Sequence, residues 1–131
     1  MPFINRTTGH APDVAERGLA LLATLIGDAE PDVQKALSWA YRSMAVVDRN
    51  MTTAALQRQA RIAEREGDGN RAWVVRDALP KLDPDVAADI KVALGNVRRR
   101  ANGPSTSEAA ALATRFEDMG LGRRLPQPPL T

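Results

Sequence analysis

Lys35, Trp39 and Arg42 stand at steps of four and three within DVQKALSWAYRSM, residues 32–44. At 100° per residue those steps bring three side chains to one side of a helix. Two cations spaced along a helix suit successive phosphates, and arginine grips one through its two-pronged fork. An indole between them can contact a sugar or a base. The apolar stripe of the same helix, Val33, Ala36, Leu37, Ala40, Tyr41, Met44 and Val47, lies on the opposite side. A purely structural role is the alternative. In a layered helical protein a helix packs on two sides, so Trp39, with Val46 on its face, would fill a seam. Lys35 and Arg42 would then snorkel, or pair with an acid across that seam.

The second tryptophan repeats the pattern. Trp73, Asp77 and Lys81 step by four, across from an apolar side of Ala72, Val75, Ala78, Leu79 and Leu82. A third basic feature is the run Arg98, Arg99 and Arg100. Three arginines at a helix end either complement the helix dipole or meet an anionic partner. The net charge of +2 is unevenly spread: residues 1–90 sum to −2 and residues 91–131 to +4.

Other chemistry is sparse. The chain has no cysteine, which excludes disulfides, thiolate catalysis and Cys-ligated zinc, and fits a reducing cytoplasm. The single histidine, His10, sits beside Gly9 and reads as solvated. No HExxH, P-loop, GxSxG or dinucleotide fingerprint occurs. Ser38, Ser43, Ser105 and Ser107 have no histidine at a motif spacing. Asp28, Glu30, Glu64, Glu66 and Asp83 read as turn, cap and helix-end acids. No metal or cofactor site is expected. No apolar run approaches the ~18–20 residues that span a bilayer, and the first residues lack a signal-peptide pattern.

These residues need helices to position them, and the pattern supplies six. They are expected at 13–27, 31–47, 51–66, a short one from Asn70 disrupted by Pro80, 84–99, and one after NGPS. Pro31 and Pro84 suit first helical positions, and Gly27 and the GDG at 67–69 suit stops. Asn50 and Asp83 are expected caps, and Ser105 with Glu108 has capping-box spacing. No strand pattern competes. Alternate helix starts at about 13, 50 and 84 recur with a period in the mid-thirties, the mark of stacked helix–turn–helix units. The expectation is an all-α, right-handed HEAT-like α-solenoid. Residues 1–12 are expected irregular, 13–101 repeats, 102–120 a C-terminal helix and 121–131 a Pro-rich tail. A plain helical bundle is the alternative.

DVQKALSWAYRSMAVVD resembles the C-terminal helical region of the AlkD-type DNA alkylation repair proteins, which carry a segment of the kind V-x-K-A-[IL]-x-W-x-x-R. GDGNRAWVVRDALPKL and PFINR look like flanking blocks of the same family, so the resemblance runs over roughly residues 2–120. It implies HEAT-like helix pairs holding duplex DNA on a basic concave face, and excision of alkylated, cationic purines without a metal. It places Trp39 on the DNA-facing surface near the lesion, with Lys35 and Arg42 beside the backbone.

The family's catalytic Asp comes from helices N-terminal to this region, and no position here matches it. The resemblance therefore implies a C-terminal half: a module that binds alkylated duplex DNA and excises poorly, with Arg98, Arg99 and Arg100 as secondary contacts. The alternatives are a protein-interaction scaffold, and an enzyme whose acid comes from another copy. The first helix is apolar round more than half its circumference, from Leu19 to Ile26. A second copy, forming a homodimer, or the segment MPFINRTTGH is expected to cover it.

Overall fold

Prolines, acids and glycines set the helix boundaries. The computed structural model describes residues 10–118, which form α1 (His10–Leu25), α2 (Pro31–Val47), α3 (Arg49–Glu66), α4 (Gly69–Ala78), a 3-10 turn (Leu79–Lys81), α5 (Pro84–Leu94) and α6 (Glu108–Asp118). No strand occurs among the described residues. Pro31 opens α2 and Pro84 opens α5, where a missing N–H costs nothing. Asp48, in extended conformation, ends α2 and caps α3, its carboxylate accepting from the Met51 N–H at 3.0 Å. Asp68 does the same for α4, accepting from the Arg71 N–H at 3.1 Å. Gly67 and Gly95, at φ 66° and 59°, end α3 and α5 in a backbone region that side chains rarely enter.

The helices pack in two layers. α2 and α4 lie side by side and form one layer; α1, α3 and α5 contact one another in series and form the other. Each consecutive pair from α1 to α4 also packs across the layers. The helices whose starts recur in the sequence are thus the members of one layer. Between the layers lie Leu22, Ile26, Leu37, Tyr41, Leu56, Ala60, Val74, Val75, Ile90 and Leu94, all buried. Each large aliphatic among them contributes roughly 1.5–3 kcal/mol. α6 packs against α1.

Several boundaries differ from the sequence reading. α1 begins at His10 rather than 13. Asp48 replaces Asn50 as the cap of α3, and Asp83 makes no side-chain cap bond. α5 stops at Leu94, so the three arginines lie on an irregular segment past the helix. Ser107, not Ser105, caps α6, accepting from the Ala110 N–H at 3.0 Å. The Ser105 hydroxyl is engaged elsewhere, by the Ala29 N–H at 2.8 Å. Leu21 is 60% exposed, and α6 packs against α1. MPFINRTTG and the tail at 121–131 fall outside the described residues.

α2 is also turned relative to its expected stripe. Leu37 and Tyr41 are buried, but Val33 and Ala36 are exposed, while Gln34 and Ser38 are fully buried. The cause is α4, which presents hydrogen-bonding partners to those two polar residues.

Candidate nucleic-acid interface

Trp39 points outward from the middle of α2 and is 65% exposed. It therefore fills no seam. Lys35, one turn earlier, and Val46, two turns later, are exposed on the same side. Arg42 leans back over the indole, its guanidinium carbon 5.4 Å from the ring centroid. Such a contact stabilises by about 0.5–1 kcal/mol at an exposed site and favours this pose of the ring.

Arg42 is itself tied across the layer to α4. Its Nε donates to the Asp77 main-chain oxygen at 2.9 Å, and Nη2 donates to the same oxygen. The Asp77 carboxylate lies 3.8 Å from Arg42 Nη2 and accepts from the Ser38 hydroxyl at 2.6 Å. Of the structural alternative, cross-seam pairing thus holds for Arg42, and seam filling fails for Trp39. Lys35 makes no ion pair or hydrogen bond among the described residues.

Trp73 lies on α4 and is half-buried. Arg99 crosses its ring at 4.8 Å from the centroid and donates through Nη1 to Gln34 Oε1 at 2.6 Å. Gln34 Nε2 donates to Asn70 Oδ1 at 3.1 Å and to the Asp28 carbonyl at 2.8 Å. Asn70 Nδ2 donates to the Pro104 carbonyl at 3.1 Å. A continuous polar seam therefore joins α2, α4 and the segment after α5. Trp73 and Asp77 share the face expected of them; Lys81 lies beyond it, in the 3-10 turn, and is exposed.

Ion pairs among the described residues are Arg17–Asp13, Arg42–Asp77, Arg49–Asp83, Arg65–Glu66 and the buried Arg71–Asp68. Lys35, Arg98, Arg99 and Arg100 belong to none of them. No cluster of potential metal ligands occurs among the described residues, and no helix there is long and apolar enough to cross a membrane.

A family model described as DNA alkylation repair enzyme matches residues 1–82. The chain belongs to the DNA alkylation repair enzyme family. The matched span holds α1 to α4 and the 3-10 turn, and with them Lys35, Trp39, Arg42, Trp73 and Asp77. It ends at Leu82, short of the roughly 2–120 expected, so α5, the three arginines and α6 lie beyond it. No curated protein and no solved structure matches the chain. In this DNA alkylation repair family member the residues missed by sequence reasoning are Gln34, Ser38 and Asn70. Their signal was present: Gln34 and Ser38 sit one turn apart inside an apolar helix, where an unpaired polar side chain would be costly.

Proposed function

We propose that the face carrying Lys35, Trp39 and Arg42 binds duplex DNA, with alkylated duplex as its target, and that the two helical layers are a short HEAT-like stack. The observation that carries this reading is the exposed indole of Trp39, held by Arg42 on a well-packed helix within a DNA-repair family match. A large aromatic left in water with a guanidinium over its ring is suited to stacking on a sugar or base. Lys35 meets a backbone phosphate. Arg42 is divided between Asp77 and the indole, so it positions Trp39 and adds charge rather than gripping a phosphate with its full fork. Arg98, Arg99 and Arg100 extend the basic surface beyond α4.

Excision is expected to be poor. An alkylated purine is already a good leaving group because it is cationic. An enzyme adds an anion that stabilises the developing positive charge on the sugar, and such preorganised charge is often the largest catalytic contribution. The carboxylate on this face, Asp77, is hydrogen-bonded by Ser38 and sits beside Arg42. That arrangement spends its charge inside the protein. The exposed apolar side chains of Leu21, Leu112 and Phe116 favour a second reading, a protein-interaction module.

Duplex binding measured by fluorescence anisotropy across a salt series separates the two. The DNA reading expects affinity on the order of micromolar that falls steeply with salt as counterions return. Binding that is absent at low salt removes it. Release of free N3- or N7-alkylated purine above the spontaneous rate, abolished by Asp77→Asn, would show that the chain is a working glycosylase.

A further inference from the structure

Arg76 and Arg98 converge on one neutral oxygen. Arg76 Nη1 donates to the Val97 carbonyl at 2.6 Å, and Arg98 Nη1 donates to the same carbonyl at 3.0 Å. Arg76 Nη2 also donates to the Gly95 carbonyl at 3.2 Å. No carboxylate pairs with either guanidinium among the described residues. Burial, and then the charge of Arg98, pull the Arg76 pKa below its ordinary value. Two like charges are thus held together without a counter-charge.

Capping of α5 explains one arginine. Carbonyls just past a helix C-terminus attract cations, and Arg76 satisfies two of them. The same need does not explain a second guanidinium on an oxygen already served. Each guanidinium carries five N–H donors, and the carbonyls use few of them.

The seat is also rigid. Gly69 lies beneath the arginine segment, where an added Cβ would stand 2.0 Å from the Arg98 carbonyl oxygen. Arg99 is fastened to Trp73 and Gln34, and Pro104 to Asn70. An open depression lined by Gly67, Asn96, Val97 and Arg98 to Arg100 adjoins Arg98. Guanidinium donors without a paired carboxylate, one of them bordering an open depression, are an arrangement that takes an anion.

We propose that Arg76 and Arg98 form a second anion seat, which takes a backbone phosphate of the duplex engaged at Trp39. This rests on the DNA reading above. It places one phosphate contact at Arg98, outside the family-matched residues, and so extends the footprint from α2 across α4 to the segment after α5.

Two measurements on the full chain separate this proposal from the reading beneath it. The first follows arginine Nε–Hε resonances during titration with inorganic phosphate at constant ionic strength. The second compares the salt dependence of 20-bp duplex binding for the wild type and Arg98→Gln, an exposed position whose variant is checked for folding by circular dichroism. The expected results are selective movement of the Arg76 and Arg98 signals, and a log–log salt slope shallower by about 1 with roughly five- to tenfold weaker binding near 0.1 M salt. Duplex binding with an unchanged slope in Arg98→Gln overturns the seat and leaves the DNA reading standing. Phosphate-sensitive signals without duplex binding overturn the nucleic-acid source and the DNA reading together. Absence of both responses overturns both.

Discussion

Arg42 donates twice to the main-chain carbonyl of Asp77, reaching from α2 to α4 while its guanidinium also lies over the Trp39 ring. One side chain therefore joins two helices and holds an exposed indole. Lysine cannot reproduce the fork. Arg42→Lys is expected to lower stability by about 1.5–3 kcal/mol, the range for charged hydrogen bonds. Lys35→Gln, on the same face but unpaired, should stay within about 0.5 kcal/mol of the wild type. Urea unfolding of the two variants checks the contrast; equal losses would deny Arg42 its bridging role.

Trp39→Ala separates a surface role from a packing role. An exposed position predicts a stability change within about 0.5 kcal/mol, plus the small loss of the contact with Arg42. A buried aromatic would lose ~3–5 kcal/mol. Duplex affinity should fall about tenfold, near the lower end of measured stacking contributions. A folded variant that binds as well as the wild type would remove the indole from the interface.

The elements were legible where the signal was local. Pro31 and Pro84 marked two helix starts that the structure places at those residues. The period of alternate starts marked the helices of one layer. Arg42 and Trp39 could be paired from spacing alone, since residues three apart meet on a helix. The rest depended on distant partners. Ser105 looked like a cap, but its hydroxyl is taken by Ala29, 76 positions away. Arg99 looked like a helix terminus, yet Gly95 ends α5 first and Arg99 folds back onto Trp73 and Gln34. Val33 and Ala36 looked like core because the pattern counts apolar residues. It cannot see that α4 offers partners to Gln34 and Ser38 instead.

Asp68 concentrates several roles at the start of α4. It caps α4 and pairs with Arg71 at 3.0 Å in a buried setting, and accepts from the Thr106 hydroxyl. Arg71 also donates to Gln59 at 2.9 Å. Asp68→Ala would strand a buried guanidinium, at an expected cost of about 3–5 kcal/mol. Asp13→Ala, which breaks the exposed pair with Arg17, should cost less than about 1 kcal/mol. Similar thermal shifts for the two would contradict this account.

Tyr41 carries a buried hydroxyl with no hydrogen-bond partner among the described residues, as does Thr52. Burial pushes the Tyr41 phenol above its ordinary pKa, against the smaller opposing pull of Arg71 and Arg58. The folded state therefore holds the proton more tightly than the unfolded chain. This contribution to stability is fully present below the unfolded pKa of about 10 and is lost as pH rises above it. Tyr41→Phe should be neutral or stabilising by up to about 1 kcal/mol near neutral pH. The difference between wild type and variant should turn further against the wild type above pH ~10. A wild type that gains on the variant as pH rises would reverse the assigned direction.

Leu21 and Ala20 on α1 are exposed, and an apolar groove runs beside them between α1 and α3, lined in part by Leu19, Ala23, Met51 and Ala55. A two-fold dimer through α1 is the expected cover. Light scattering over a dilution series should show association at high concentration that Leu21→Glu weakens. A chain that stays monomeric throughout, with or without the substitution, would exclude it.

The main-chain N–H of Thr106 donates to the Gly27 carbonyl at 2.9 Å, and its side chain reaches the same oxygen from 79 positions along the chain. Closing so long a loop is entropically costly until both ends have a folded surface to meet on. The segment that carries Arg98 to Arg100 is tied by that closure to the end of α1, and by Arg99 and Pro104 to α2 and α4. A chain still emerging from the ribosome has its arginines but not their arrangement. The tie from Thr106 to Gly27 closes only after Thr106 has cleared the exit, so the end of α1 and the segment after α5 are joined only in a nearly complete described chain.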